Sequence, residues 1–374
     1  MAQAVVVTKR KVRYAVVGIG WISQTAFLPG VEHTGNSEVV AFVTGHEDKA
    51  AKVGEKYGVN ALYSYDEYDD LLRSGTVDAV YLATPNFDHV DLAIRTLDAG
   101  LHLLLEKPMA TSVEDCQRII DASVRSGARL MVAYRLHHEP GALKAFEVAR
   151  SGSLGHLRYF NSSFSQPVNF QNHRAKHGFW AGPVPDMGPY PINTARNLFA
   201  AEPIQVYAMG TRTEPERFRD FDDQVAVSLR FPGDRLATML LSYSAADLDD
   251  FRIVGTLGDL YSSPAFSMGT GMKHEINIGK SRSTESFPQT DQFGGELKYF
   301  SGCILDGKDP EASGEEGLLD IRVIAAVERS LLSGHPEPLE PYVRHRRPTF
   351  EQVQHLPKTS EPDLVGVHPP SQGR

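Results

Sequence analysis

Hydrophobic residues in the first third of the chain fall into short, almost continuous runs rich in β-branched side chains. There are five such runs, at positions 14–17, 39–43, 79–83, 101–105 and 130–133. The segments between them have helical spacing and stop at a glycine, over 48–58, 89–100 and 113–127. The segment Thr111-Ser112-Val113-Glu114 predicts a capping box at the start of the last helix. Buried strands that alternate with helices predict an α/β unit with a doubly wound parallel sheet over residues 12–135.

The rest of the chain has a different pattern. Helical spacing occurs at 141–150 and 318–332, and strand-like runs with partial alternation lie at 157–164, 205–208, 224–231, 236–244, 251–254 and 275–278. Successive strands without helices between them predict a large, open, mainly antiparallel sheet, hence an α+β substrate and oligomerisation domain over 136–340. Such a sheet needs cover on its outer face, so we expect a homodimer or homotetramer. Residues 1–11 are interpreted as an N-terminal arm and 341–374 as an extended C-terminal tail.

Composition narrows the range of partners. The 374 residues carry a formal net charge of −9, so no basic surplus exists to neutralise the phosphates of a nucleic acid. Two short basic clusters, at 9–11 and 344–347, are expected to be solvated flanks. The apolar runs are too short to cross a membrane, and two cysteines form no disulfide framework, so the expected location is cytoplasmic. The 14 histidines show no metal-ligand spacing, so no metal site is predicted.

A glycine-rich turn follows the first predicted strand. Gly18 and Gly20 allow a tight turn and a close approach of the backbone to a pyrophosphate, with Trp21 and Ile22 opening the helix behind them. Ser23 takes the place where a third glycine or alanine is usual, and a small residue still permits close packing. This position after a strand and before a helix predicts a Rossmann dinucleotide site; an ordinary structural turn is the alternative.

The end of the second predicted strand indicates which nucleotide binds. An NAD site usually offers an acid there to the ribose hydroxyls. This chain has the hydroxyl of Thr44, a glycine and then Lys49, which suits an extra ribose phosphate and favours NADP over NAD. The competing interpretation is that Glu47 or Asp48 turns back to the ribose.

Two further strand ends carry candidate residues at the same edge of the sheet. The fourth apolar run, at 101–105, is followed by Glu106-Lys107-Pro108. An open α/β sheet binds its ligands at the carboxyl ends of its strands, so we expect Lys107 to point at the substrate. Thr84-Pro85-Asn86 ends the preceding strand and is either a cofactor contact or a plain turn. Glu106 and His89 are assigned to the cofactor side with them.

The segment from Pro185 to Asn193 is the second dense cluster of polar and proline residues. If it opens a helix, Asp186, Tyr190 and Asn193 lie on one face and can meet a ligand together. The alternative is a proline-rich loop that feeds a helix in which Tyr190 is only a core residue.

These segments resemble a known family. In the order found in the glucose–fructose oxidoreductase / inositol dehydrogenase (Gfo/Idh/MocA) family, the chain contains Gly18-Ile19-Gly20, Thr84-Pro85-Asn86, Glu106-Lys107-Pro108, Asp186-x-Gly188-x-Tyr190 and Gly255-Thr256-Leu257-Gly258. The resemblance covers residues 12 to 335 and is strongest to the glucose–fructose oxidoreductase branch, through Met109–Val113, Tyr134-Arg135-x-His137 and Gly314-Glu315-Glu316-Gly317. The sequence departs from the family pattern in two places: many relatives have histidine where Tyr190 stands, and residues 1–11 do not resemble the long export signal of a periplasmic member of the family, so its location and tetramer contacts are not carried over.

The resemblance implies hydride transfer between a nicotinamide cofactor and a sugar or cyclic polyol. Tyr190 would take the proton of the alcohol, Lys107 would favour its phenolate, and Asp186 would accept hydrogen bonds from sugar hydroxyls. The remaining expected cofactor or substrate contacts are Arg135, Asn193 and Trp180, the last with a core role as its alternative. At most one of His137 and His138 is expected to line the site. Loops at 169–176 and 266–272 are expected to set specificity.

Three functions remain open on this basis. The leading hypothesis is an NADP-dependent oxidoreductase of an aldose, which holds its cofactor while one sugar is oxidised and another reduced. The second is a dehydrogenase or reductase with exchangeable cofactor that acts on another polyol, an anhydro-sugar or a dihydrodiol. The third is a nucleotide-sensing regulator without catalysis, against which the presence of both Lys107 and Tyr190 argues.

Overall fold

The first of two β-sheets is fully parallel and lies in the N-terminal third of the chain. The computed structural model describes residues 10–169, 178–344 and 346–370. In this part of the chain the first sheet has the strand order β3-β2-β1-β4-β5-β6. Its strands are β1 (Val12–Val17), β2 (Ser37–Val43), β3 (Ala61–Tyr63), β4 (Ala79–Leu82), β5 (His102–Leu105) and β6 (Leu130–Val132). Its helices are α1 (Leu28–Thr34), α2 (Glu47–Tyr57), α3 (Tyr68–Arg73), α4 (His89–Asp98) and α5 (Val113–Ser126).

The central strands form because their side chains are buried on both faces. Every residue of β4 is buried, and so are all but one residue of β1 and of β5. A parallel sheet covered on both faces requires such continuous apolar runs, and all five runs in the sequence are confirmed as strands. The pattern missed β3, a three-residue edge strand without a buried residue.

Helix ends follow local chemistry. Gly58 and Gly127 adopt left-handed conformations at the ends of α2 and α5, as their positions predict. The N-cap of α5 is Ser112, whose hydroxyl accepts a hydrogen bond from the backbone N–H of Asp115 at 3.0 Å. The cap therefore lies one residue later than in the predicted Thr111 to Glu114 box.

The second sheet is open and mainly antiparallel. Its strand order is β14-β13-β12-β11-β7-β10-β9-β8-β15, and β7 and β10 are its one parallel pair among the described residues. The strands are β7 (Leu157–Ser165), β8 (Gln205–Thr211), β9 (Gln224–Phe231), β10 (Arg235–Ser242), β11 (Leu248–Gly255), β12 (Gly258–Ser262), β13 (Met272–Ile278), β14 (Ser281–Phe287) and β15 (Glu337–Pro338). The predicted fold class is confirmed, although β12, β14 and β15 were not foreseen.

Two of the later helices return to the first sheet. The helices of this half are α6 (Pro140–Arg150), α7 (Pro183–Met187), α8 (Pro189–Phe199), α9 (Gln292–Asp306) and α10 (Gly314–Ser333). Helix α9, which the sequence pattern missed, packs on α1, and α10 packs on α5. The hydroxyl groups of Tyr14 in β1 and Ser301 in α9 lie 2.8 Å apart. Residues distant in sequence therefore complete the core of the N-terminal sheet.

A buried ion-pair network fastens α8 and α10 to the start of the C-terminal tail. Arg196 of α8 pairs with Glu316 of α10 at 3.1 Å, and Arg344 pairs with Glu311 at 2.6 Å and also with Glu316. Burial alone would raise the pKa of Glu316, but the charges of Arg196 and Arg344 outweigh it and hold that pKa at about 2.

The expectation that the cluster at 344–347 is a solvated flank is therefore wrong for two of its residues. Arg344 is buried, and Arg347 pairs with Glu202 at 2.8 Å. The reason is that this chain buries several carboxylates, which require cationic partners. His345 lies outside the described residues.

Three features bear on the expected location and on metal binding: membrane-spanning helices, cysteines and clusters of metal-binding side chains. No helix among the described residues is long and apolar enough to cross a bilayer. Both cysteines, Cys116 and Cys303, are buried and unpaired. Within the described ranges no group of three or more histidine, cysteine or acidic side chains is arranged to hold a metal ion. The cytoplasmic location stays a prediction.

Candidate active site

A lysine at the carboxyl end of β5 lies where the two halves of the molecule meet, the first being residues 12–135 and the second residues 136–340. Lys107 lies two residues beyond the last residue of β5. Its Nζ donates to the backbone oxygen of Asp186 at 2.8 Å and to the carboxylate Oδ1 of the same residue at 3.3 Å. Because Asp186 belongs to α7, this contact joins the parallel sheet to the second half of the molecule.

Two cations face the ring of Tyr190. The ammonium nitrogen of Lys107 lies 5.1 Å from the ring centroid, and the guanidinium carbon of Arg135 lies 4.8 Å from it. The Nε of Arg135 also donates to the Tyr190 hydroxyl at 3.3 Å. The sequence placed Lys107 and Tyr190 together, and the structure adds that Arg135 is the cation in contact with the phenol oxygen.

Residues from the second half hold Arg135 in place. Its two terminal nitrogens donate to the side-chain oxygen of Gln292, at the start of α9, and to the backbone oxygen of Phe266. The Phe266 ring lies 6.2 Å from the ring of Tyr190, so the loop at 266–272 does border this cluster. The other loop named from the sequence, 169–176, lies outside the described residues except for Asn169.

A buried tyrosine fixes the carboxylate of Asp186. The hydroxyl of Tyr243 donates to Oδ2 of Asp186 at 3.0 Å and also lies 3.1 Å from the backbone oxygen of Gly182. Tyr243 follows β10 and is fully buried. One oxygen of Asp186 thus contacts Lys107 and the other contacts Tyr243. No motif in the sequence pointed to Tyr243, because its partner is brought close only by the tertiary fold.

Asn193 borders the same cavity, but its amide is engaged by the protein. Lys107, Tyr190, Arg135, His137 and Asn193 all line that cavity. The Oδ1 of Asn193 lies 2.7 Å from Nε2 of His137, and its Nδ2 donates to Glu316 at 2.6 Å. These bonds hold the Asn193 amide in place at the cavity wall, and its expected substrate contact stays a prediction. The predicted single helix is in fact two, α7 and α8, which puts Asp186 on a separate helix from Tyr190.

The two adjacent histidines have different surroundings. His137 lines the cavity and lies 2.8 Å from a carboxylate oxygen of Glu311. Burial alone would lower the pKa of His137, but the charge of Glu311 outweighs it and raises that pKa. His138 packs against the ring of Tyr299, and burial lowers its pKa to about 3. As expected, only one of the pair borders the cavity.

The glycine turn has the geometry that a bound dinucleotide needs. Gly18 has a φ of +90°, and a Cβ there would lie 2.7 Å from the backbone oxygen of Ala83. A Cβ on Gly20 would have no protein atom within 4 Å, so the space beside it is open. Ser23 fills the third position by donating to the backbone oxygen of Gly18 at 2.6 Å. Trp21 and Ile22 are half-buried at the start of this helical segment.

The ends of β2 and β4 carry the other expected cofactor residues. Thr44 is buried after β2, and Lys49 is half-buried in the first turn of α2, where burial lowers its pKa. The Oγ1 of Thr84 is buried without a hydrogen-bond partner among the described residues. Pro85 precedes a short 3₁₀ turn at Asn86–Asp88. The side chain of Asn86 donates to the backbone oxygen of Trp180 at 2.8 Å, a second bond between the halves.

His89, assigned to the cofactor side, and Trp180, assigned to the substrate side, both contact neighbouring parts of the protein. His89 is buried, with its ring nitrogens 3.0 Å from the backbone oxygen of Thr84 and 3.1 Å from that of Pro108. It therefore ties two loops together through its ring nitrogens, and its assignment to the cofactor side stays a prediction. Trp180 is half-buried and packs edge-to-face on Phe179, with ring centroids 5.6 Å apart. Both predicted roles of Trp180, a substrate contact and a core residue, therefore remain predictions.

Glu106, which the sequence assigned to the cofactor side, has an acidic neighbour, Glu296, that was missed from the sequence. Glu106 accepts a hydrogen bond from the hydroxyl of Tyr81 at 2.7 Å. Glu296, from α9, is fully buried, and neither of its carboxyl oxygens has a partner among the described residues. Burial and the nearby charge of Glu106 raise the pKa of Glu296. The helical segment that carries Glu296 has an N-cap signal at Asp291, but Gly294 and Gly295 weaken its helical pattern.

The chain belongs to the GFO/IDH/MocA oxidoreductase family. Residues 12–134 match the model of the oxidoreductase family with an NAD-binding Rossmann fold, and residues 142–261 match the GFO/IDH/MocA C-terminal domain. The predicted family is thus confirmed, and with it the predicted class of protein, an oxidoreductase.

Three relatives illustrate the range of the similarity. A D-xylose 1-dehydrogenase [NADP(+)] of Haloarcula marismortui is 30% identical, over 86% of this chain and 91% of that protein. The crystal structure of an aldose-aldose oxidoreductase from Caulobacter crescentus with glycerol matches with a TM-score of 0.83 and 31% identity, over 88% of this chain and all of the other. A 3-ketoreductase of Actinomadura kijaniata in complex with NADP and TDP-benzene matches with a TM-score of 0.78 and 25% identity, over 86% of this chain and 98% of that one.

Replacing Tyr243 with phenylalanine should impair turnover without weakening nucleotide binding. The variant removes one hydrogen bond to a charged group, a contact of about 1.5–3 kcal/mol, so we expect kcat to fall about tenfold or more. The pH profile of kcat should also move, because Asp186 loses a partner beside Lys107. The measurements are steady-state kinetics over pH and a nucleotide binding titration.

The matched control is Tyr261→Phe. Tyr261 donates a similar bond to Asp250 at 3.1 Å, but within the second sheet and away from the cluster. An equal loss of kcat in both variants, with no shift of either pH profile, would show that Tyr243 matters only for stability.

Proposed function

We propose that this protein is an NADP-dependent oxidoreductase that acts on a CH–OH group of an aldose or a related sugar. The observation that carries the proposal is the cluster of Lys107, Arg135, Asp186 and Tyr190 at the carboxyl end of the parallel sheet. A phenol flanked by two cations is suited to moving a proton at an alcohol oxygen. The names of the xylose dehydrogenase and the aldose-aldose oxidoreductase relatives support a sugar as substrate.

The residues at the nucleotide side fit a bound NADP. The open space at Gly20 and the close approach at Gly18 suit a pyrophosphate, and the unpartnered hydroxyl of Thr84 offers a polar contact at the adjacent strand end. Lys49, in the first turn of α2, is the proposed partner of a ribose phosphate. Glu296 has a buried carboxyl that a hydrogen-bond donor such as a carboxamide would satisfy.

Different residues would move the proton, stabilise charge and orient the sugar. When bound, NADP supplies the nicotinamide that exchanges a hydride with the sugar carbon. The hydroxyl oxygen of Tyr190, as phenolate, accepts the proton of the sugar alcohol, and Arg135 and Lys107 stabilise the negative charge on that oxygen. The Lys107 ammonium also donates to the reacting oxygen, while Asp186 orients the ammonium and accepts from sugar hydroxyls.

Cofactor retention between turnovers is the finer part of the proposal. In that scheme one aldose is oxidised and a second is reduced while NADP stays bound. The likeness to an aldose-aldose oxidoreductase supports it. A dehydrogenase with exchangeable cofactor is the alternative, and the spectrum of the purified protein separates the two: retained nicotinamide absorbs, and it becomes reduced when an aldose is added.

A dimer or tetramer through the second sheet is the proposed assembly. Large apolar side chains on the outer face of this sheet are 42% to 66% exposed: Tyr159, Tyr207, Met209, Leu236, Leu240 and Leu248. They come from β11, β7, β10 and β8; β9 lies between β10 and β8 and pairs Arg230 with Leu236 and Ser228 with Tyr207. A face of this kind marks an interaction site more often than a free surface.

Replacing Lys107 with alanine should abolish sugar oxidation and spare nucleotide binding. We expect the turnover rate to fall by about 10² or more, because the charge beside Tyr190 and the reacting oxygen is lost. Kinetics with NADP and a panel of aldoses, together with a binding titration, test this. Lys308→Ala, at an exposed lysine, is the control. Unchanged turnover in the Lys107 variant would refute the mechanism, and a wild-type protein that binds NADP but turns over no sugar would favour a regulator.

Lys49→Ala should weaken NADP binding selectively. Loss of one charge-assisted contact to a phosphate should raise the Kd for NADP about tenfold, while the Kd for NAD changes little. Lys52→Ala, an exposed lysine on the same helix, is the control. If NADP and NAD binding weaken equally, Lys49 does not recognise the extra phosphate.

Disrupting the apolar face should dissociate the assembly. The double variant Leu236→Glu with Leu240→Glu places two charges on the exposed face of β10 and should sediment as a monomer. The control is Leu332→Glu, at a leucine of α10 that is 83% exposed. Sedimentation of the wild-type protein as a strict monomer would refute the proposed assembly.

A further inference from the structure

The C-terminal tail crosses both halves of the molecule beside the nucleotide site. Before it reaches that site it is fastened twice: the backbone N–H of Gln354 donates to the oxygen of His138 at 3.1 Å, and that of Asp291 donates to the oxygen of Leu356 at 3.2 Å. Beyond Leu356 the tail leaves these partners and runs along α2. The sequence predicted an extended tail, and the structure adds its contacts with Gln24 and with α2.

A buried glutamine at the glycine turn pairs with the tail backbone. The Nε2 of Gln24 donates to the oxygen of Val365 at 3.0 Å, and the N–H of Val365 donates to Oε1 of Gln24 at 2.8 Å. Gln24 is only 2% exposed, directly follows Ser23 and also donates to the backbone oxygen of Ile19. A buried side-chain amide that bonds both the N–H and the C=O of one residue specifies the position of that residue closely.

The direction of the tail follows from its contacts with α2. Lys56, near the end of α2, donates to the backbone oxygen of Asp363 at 2.6 Å, whereas Gly366 lies against the side chain of Lys49 in the first turn. Seven helical residues span about 10 Å, and three extended residues cover about the same length. Residues 363–366 therefore run towards the N-terminus of α2, where the strands end and a dinucleotide binds.

The last described residues then cross to the other half. The backbone oxygen of Pro370 accepts a hydrogen bond at 2.7 Å from the N–H of Asn169, which lies beyond the end of β7. Four residues thus bridge from the start of α2 to the substrate side. Gln24, which binds Val365 of the tail, lies four residues beyond Gly20, so the path of the tail passes the glycine turn.

We propose that residues 363–370 form the outer wall of the nucleotide site and slow the release of NADP. The inference rests on the proposed function and deepens it, since a wall closed by Gln24 and Asn169 gives the chain a physical means of retaining its cofactor between turnovers. Release of a dinucleotide past this wall requires that the bonds to Val365 and Pro370 break.

The test measures the rate of NADPH release by fluorescence, with excess NADP as competitor. A chain that ends at residue 360 should release NADPH at least tenfold faster than the full chain, since it loses all bonds of residues 363–370. The Gln24→Met variant keeps the tail and the size of the side chain but loses both bonds to Val365, and its release rate should be intermediate. Gln117→Met, at an exposed glutamine of α5, is the control and should match the wild type.

The outcomes separate the two proposals. Equal release rates in the full chain, the shortened chain and the Gln24 variant would overturn the wall, whatever their activity. A full chain that binds no NADPH would instead overturn the proposed function. If the shortened chain does not fold, the Gln24 variant decides the question by itself, because its melting temperature and its release rate are measured on the same sample.

Discussion

The contact between the Lys107 ammonium and Asp186 is the interaction on which the rest of the site depends. Both side chains are largely buried, at 15% and 20% exposure, so neither charge is well solvated by water alone. Lys107 comes from the end of β5 and Asp186 from α7, which means that the pair forms only when the two sheets lie in one relative position. That position also brings Arg135 to the hydroxyl of Tyr190 and Tyr243 to the second oxygen of Asp186. Fixed donors and acceptors of this kind are what an oxidoreductase needs, because they do not have to reorganise as charge moves.

Much of this arrangement could be predicted from the sequence. The central strands were found because a doubly covered parallel sheet leaves an unmistakable run of apolar residues, and the glycine turn and the lysine after β5 were found because each stands at a strand end. Edge strands were missed for the opposite reason: β14 is largely exposed and has the composition of a loop. Tyr243, Gln292 and Glu296 were missed because they reach the site from distant elements, and no local spacing records that convergence.

The buried carboxylates account for the other corrections. Glu202, Glu311 and Glu316 lie inside the second half, and each has an arginine partner. A charge in the interior is tolerated only when it is paired, so Arg344 and Arg347 are drawn out of a segment that looks like a solvated tail. The amide of Asn193 is engaged by the same network through Glu316. One network thus anchors the start of the tail and fixes the orientation of the Asn193 amide at the cavity wall.

The return of α9 and α10 to the first sheet has a consequence for how the chain matures. Tyr14 and Tyr81 of the parallel sheet form an aromatic group with Phe27, which directly precedes α1, and α9 packs against α1. While the chain emerges from the ribosome, residues 12–135 are complete long before residues 292–333 exist. During that interval the nascent sheet exposes the apolar surfaces that the two late helices will cover, which makes it a target for chaperones and a source of aggregation. Residues 12–135 therefore reach their final stability only after α9 and α10, near the end of the chain, have been synthesised.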